Sequence, residues 1–129
     1  MRIYFFVLFV FVALLSCDKD DSNNNCTTLE IAYVTDVQAP ETGVVGEDIE
    51  IDVSFGVRNS CGTFADFIQQ QNENTRIIEV KAKYEGCICL QVAETITTTY
   101  TYKPLLPGDY VFQFKSGEDQ YITVNISVL

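Results

Sequence analysis

Histidine is absent from this 129-residue chain, and so is tryptophan. Without histidine there is no Ser-His-Asp or Cys-His nucleophile, and every metal site built on imidazole is excluded. Without tryptophan the strongest aromatic stacking platform is missing. Basic residues are few: eight Lys and Arg stand against 18 Asp and Glu, a net charge of −10. Nucleic acid and anionic membrane surfaces both need basic patches, so neither is expected as a partner. No nucleophile–base pair, phosphate-binding loop or paired-carboxylate motif stands out, so the chain is read as a non-enzyme with no cofactor and no metal. The longest apolar run, Ile3 to Leu15, has 13 residues. A membrane-spanning helix needs about 20.

That run has another use. Arg2 gives the N-terminus a positive start, 13 apolar residues fit the h-region of a signal peptide, and Ser16 is the small residue expected beside a cleavage site. Leu14-Leu15-Ser16-Cys17 resembles the lipobox of bacterial lipoproteins. In that family the Cys thiol is diacylated, palmitate being a usual acyl group, and the signal peptide is cut just before the Cys. The resemblance implies a signal peptide over 1–16, lipidation of Cys17, a flexible tether over 17–26 and a β-domain over 27–129. Two or three acyl chains anchor stably where one binds only marginally. Lys19-Asp20-Asp21 resembles the signal that sends lipoproteins of Bacteroidota to the outer face of the outer membrane. The same Asp18 beside Cys17 would mean inner-membrane retention in an enterobacterium. Removing residues 1–16 takes Arg2 with it and leaves seven basic against 18 acidic side chains, a net charge of −11.

Five cysteines become four once Cys17 carries lipid. An even remainder in an exported chain reads as two disulfides among Cys26, Cys61, Cys87 and Cys89. Three pairings are open. The favoured ones join Cys87 and Cys89 each to Cys26 or Cys61, and the rival joins Cys26 to Cys61. Cys87-Ile88-Cys89 is read as the start of an extended piece, where a bridge between residues two apart would be strained. The other reading of that pair is a redox or metal-binding site.

After the polar stretch Ser22 to Asn25 the period of the chain is two. Leu29, Ile31 and Tyr33 are assigned to one face, with Glu30 and Ala32 opposite. Ile49, Ile51, Val53, Phe55 and Val57 alternate with Glu50, Asp52, Ser54, Gly56 and Arg58, the cleanest half-buried strand. Ile78 to Tyr84, Ile96 to Tyr102, Tyr110 to Phe114 and Ile122 to Val128 alternate in the same way. Thr63 to Gln71 places Phe64, Phe67 and Ile68 at helical spacing, and a short helical turn or ordered connection is expected there. About seven strands with turns between them predict an all-β, antiparallel sandwich. Leu106-Pro107-Gly108-Asp109-Tyr110 resembles the tyrosine corner of immunoglobulin-like and fibronectin-like domains. It implies that Tyr110 bonds back to the preceding turn. Taken together, the chain resembles a small immunoglobulin-like lipoprotein of the kind common in Bacteroidota. The core tryptophan and strand-to-strand cysteine pair of antibody domains are missing.

The acidic run Glu47, Asp48, Glu50 and Asp52, and Glu118-Asp119, are read as solvated faces rather than Ca²⁺ sites. Tyr33, Tyr84, Tyr100, Tyr102 and Tyr121 are read mostly as core. Lys81 and Lys83 are read as partners for neighbouring carboxylates. The function expected is a lipid-anchored envelope module that takes a protein or glycan ligand on loops Gln38–Asp48, Asn59–Asn74 and Lys103–Asp109. Two alternatives stand beside it. One is a proteinase inhibitor presenting a sandwich loop, from the likeness of Pro107-Gly108-x-Tyr110-x-Phe112 to such inhibitors. The other is an envelope redox protein using Cys87 and Cys89.

Overall fold

The computed structural model describes residues 25–129. The expected signal peptide, Cys17 and most of the tether lie outside the described residues. Nine strands follow in order: β1 (Thr27–Ala32), β2 (Val34–Gln38), β3 (Thr42–Gly43), β4 (Ile49–Val57), β5 (Gly62–Asn72), β6 (Thr75–Glu85), β7 (Glu94–Tyr102), β8 (Gly108–Gly117) and β9 (Gln120–Val128).

The strands form two facing sheets, an all-β sandwich of nine strands where about seven were expected. The smaller sheet has the order β2-β4-β7, and the larger runs β1-β6-β8-β9-β3 with β5 also on β6. β5 covers residues 75–84 of β6 along one edge. The other edge is shared, because β1 pairs with residues 80–85 and β8 with residues 75–78. Two pairings are parallel, β6 with β8 and β3 with β9, so the sheet departs from the wholly antiparallel plan. β1 and β2 are almost continuous. The chain crosses from one sheet to the other at Tyr33, whose carbonyl accepts from Gly56 N at 3.3 Å.

Alternation along each strand builds the core. β4 buries Ile49, Ile51, Val53, Phe55 and Val57, and β6 answers with Ile78, Val80, Ala82 and Tyr84. Phe112 and Phe114 of β8 and Ile126 and Val128 of β9 complete the layer. Tyr100 from β7 meets Phe67, Phe112 and Phe114 edge-on, with centroids 5.2–6.2 Å apart. Edge-to-face pairs of this kind favour one packing over its neighbours.

Three sequence expectations are corrected. Thr63 to Gln71 is not a helical turn but most of β5. A bulge between Phe64 and Asp66 makes Phe64 face Ala82 and Phe67 face Val80, so two residues three apart share one face. A bulged strand thereby imitates helical spacing. The second correction concerns β1. Ala32 is buried, whereas Leu29, Ile31 and Tyr33 are 58%, 39% and 46% exposed. Pairing decides the phase: Ala32 and Glu30 lie opposite buried Val80 and Ala82, which turns Leu29 and Ile31 outward beside Lys83 and Lys81. The third is Cys87-Ile88-Cys89, which lies in a bend between β6 and β7 and starts no strand.

Candidate functional site

The sandwich has two ends of different character. β4 begins at one end and finishes at the other, and its register with β7 pairs Ile49 with Tyr102 and Val57 with Glu94. Ile49 therefore marks the end that carries the loops before β4 and after β7. Val57 marks the end where the chain arrives from its N-terminal side.

The Val57 end is cross-linked. Cys26 is bonded to Cys87 and Cys61 to Cys89, with Cα atoms 4.9 and 5.6 Å apart. The bend at Ile88 lets two residues only two apart reach two different partners. Gly86, at φ +135°, allows this approach, since a Cβ there would lie 2.9 Å from Cys61 Sγ. Hydrogen bonds reinforce the bridges. Gly86 N donates to Cys26 O at 2.9 Å, Ser60 N to Leu90 O at 3.0 Å, and Leu90 N to Ser60 Oγ at 2.8 Å. Asn59 is buried, and its Oδ1 accepts from Cys61 N at 3.0 Å. Beside them Arg58 lies 4.3 Å over the Tyr84 ring and forks onto Glu30, with Nε–Oε2 at 3.1 Å and Nη2–Oε1 at 2.7 Å. The hydrogen bond from Arg58 holds the Glu30 carboxyl below its usual range.

The Ile49 end gathers loops 39–48 and 103–107 and Leu129. Backbone bonds tie them: Gly46 N to Pro104 O at 2.8 Å, Val45 N to Leu129 O at 3.1 Å, and Leu129 N to Gly43 O at 3.0 Å. Tyr110 Oη donates to Leu106 O at 2.7 Å, which pins loop 103–107 from below. Gly46 takes φ +81°, a turn conformation that suits glycine. Held this way, Val44, Val45, Leu105, Leu106 and Leu129 are all exposed, Leu105 and Leu129 by more than three-quarters. Below Leu129 lies a cleft of about 430 Å³ lined by Val44 and Ile49 with Glu47, Asp48 and Glu50. Lys103 is 3.6 Å from Asp48. Arg76 stacks 4.1 Å over Tyr102 and bonds its hydroxyl at 3.1 Å. An apolar rim above carboxylates suits a partner with apolar and basic groups.

Loops Gln38–Asp48 and Lys103–Asp109 thus meet at one end. Most of Asn59–Asn74 is β5 rather than loop: its first residues lie at the disulfide end, and only its last, the turn after Asn72, come toward the Ile49 end, where Arg76 bonds both Gln71 Oε1 and the Tyr102 hydroxyl. The acidic run is divided: Glu50 and Asp52 lie on the exposed face of β4, and Asp52 Oδ1 accepts from Thr99 Oγ1 at 3.0 Å. Among the described residues no three His, Cys, Asp or Glu side chains converge as metal ligands. Tyr84 and Tyr100 are core residues, while Tyr33 and Tyr121 are exposed. Lys115 Nζ lies 3.3 Å from Glu79 Oε1 on the outer face of the large sheet, and that carboxylate raises the Lys115 pKa.

Sequence reasoning missed Arg58 as the brace of the disulfide end. It also missed the exposed leucines and valines of the Ile49 end. The signal available was Leu105-Leu106 between Pro104 and Pro107, two leucines in a turn where a buried strand was impossible.

No curated protein and no solved structure matches the chain. A family model of the ORF11 beta-sandwich domain matches residues 51–128, from β4 to the end of β9. The match takes in most of β4 and all of β5 to β9, while β1, β2 and β3 precede it; it covers more than half of the sequence, and the chain belongs to the ORF11 beta-sandwich domain family.

Proposed function

We propose that the protein is a non-catalytic binding or accessory module, held on the cell envelope by acyl chains on Cys17 and facing outward from the outer membrane of a Bacteroidota-type cell. The observation that carries the reading is the opposition of the two ends. Cys26, nine residues after Cys17, lies at the disulfide end, and the exposed apolar loops lie at the other. A chain fixed through Cys17 would present loops 39–48 and 103–107 away from its anchor. The sequence Leu14-Leu15-Ser16-Cys17 supports the anchor, and Lys19-Asp20-Asp21 supports surface display. Two bridges suit an oxidising compartment. The ligand class that fits is a protein or glycan with apolar and basic groups.

Cell fractionation of the wild type and of Cys17→Ala tests the anchor. The wild type should partition with the outer membrane and be shaved from intact cells by added protease. The variant should appear in the soluble fraction. A variant that stays with the membrane would refute anchoring through Cys17. For the ligand surface, Leu105→Asp and Leu106→Asp should abolish surface cross-links to a partner while both disulfides persist.

A further inference from the structure

Between β6 and β7 the chain reads Gly86-Cys87-Ile88-Cys89-Leu90-Gln91-Val92-Ala93, eight residues without a charge. Ile88 is 96% exposed, Leu90 71% and Val92 54%. Loops that face water are ordinarily polar, and clustered exposed aliphatics mark an interaction surface. This loop is not slack. Two disulfides and the reciprocal Ser60–Leu90 hydrogen bonds hold it in place, so the aliphatic tips are presented rigidly.

Its position names the occupant. Cys87 is bonded to Cys26, so Ile88 lies one residue from the point at which the chain arrives from Cys17. The stretch between Cys17 and Cys26 spans at most about 30 Å even if fully extended. A lipid on Cys17 therefore keeps this loop close to the bilayer surface. The charges around it select the kind of lipid. Glu85 and Glu94 flank the loop, Glu85 is paired with Lys83, and Arg58, which shares a cleft with Cys87 and Cys89, is engaged by Glu30. That pattern suits a neutral lipid surface and disfavours an anionic one.

We infer that the Cys87–Val92 loop rests in the lipid surface that carries the Cys17 anchor, with Ile88 and Leu90 inserted at the boundary of headgroups and acyl chains. The inference rests on the anchoring reading above. The sandwich then stands on its disulfide end. β4 rises roughly 30 Å over its length, which lifts the opposite loops about that far from the lipid.

The absence of tryptophan supplies the test. Ile88→Trp and Leu105→Trp each place a single probe in the full lipidated chain, one at each end. Both are reconstituted in phosphatidylcholine vesicles with and without brominated acyl chains, and flotation reports anchoring. Both variants should float, and bromine should quench Ile88→Trp at least roughly threefold more than Leu105→Trp, as for side chains lodged in the headgroup–acyl boundary. Floating protein with an unquenched Ile88→Trp, or with equal quenching at both ends, would overturn the loop contact and leave the anchor standing. An Ile88→Trp probe shielded by protein density and indifferent to bromine would assign the loop to a second copy and overturn the lipid contact. Protein that fails to float would overturn the anchor, and this inference with it.

Discussion

Tyr110 Oη donates to the carbonyl of Leu106, four residues earlier, at 2.7 Å. The bond spans the turn between β7 and β8 and fixes the two leucines of the exposed loop end. Tyr110→Phe removes the hydroxyl and keeps the ring that packs 5.6 Å from Tyr102. The expected loss is about 1 kcal/mol, the usual net worth of such a bond, read as a lower urea midpoint with unchanged slope. Hydrogen exchange should quicken at residues 103–108 and nowhere in β4.

The bridges close chain separations of 61 and 28 residues, Cys26 to Cys87 and Cys61 to Cys89. Replacing either pair by alanine should cost about 2–5 kcal/mol, measured by thermal or denaturant unfolding. Peptide mapping under non-reducing conditions should recover these two linkages and none between Cys87 and Cys89.

Tyr100 is buried against Phe112 and Phe114, and its hydroxyl donates to Gln69 Oε1 at 2.7 Å. Burial raises its pKa above 10.0, with the Arg76 charge opposing the shift. The unfolded phenol ionises first, so the stabilising effect is complete below pH 10 and is lost as the pH rises through the folded pKa. Tyr100→Phe should flatten the fall of stability above pH 10. At neutral pH the same variant should be slightly less stable, because Gln69 loses its partner.

Phe64 and Phe67 pack at 4.8 Å although they are three residues apart, because the bulge takes up one residue between them. Deleting Ala65 leaves Phe64 opposite Ala82 and Phe67 opposite Val80 in a regular ladder, so the deletion variant should fold and melt cooperatively. Deleting Ser54 from the unbroken β4–β7 ladder turns Ile49, Ile51 and Val53 or Phe55 and Val57 off the core face, and no folded protein should be recovered.

These elements show what was legible in the sequence. β4, β6, β8 and β9 were readable because each buries one face against a full sheet, and strict alternation survives there. β5 was not, since a single inserted residue changes a period of two into a spacing of three. β1 was misphased because hydrophobicity favours Leu29, Ile31 and Tyr33 inside, whereas Glu30 is tolerated on the inner margin by Arg58. That partner is 28 residues away, beyond the reach of any local pattern. Two of the expected ligand loops were found by their Pro and Gly content, but that they share an end depends on strand direction, which local sequence does not encode.

The proposed anchoring hangs a doubly bridged sandwich from lipid on Cys17. Intact mass of the native protein, with and without alkylation under non-reducing conditions, tests it most directly. The expected result is a chain that begins at Cys17, carries an acyl-sized increment there, and takes up no alkylating reagent. An unlipidated chain retaining residues 1–16, or one with alkylated thiols at Cys87 and Cys89, would contradict it.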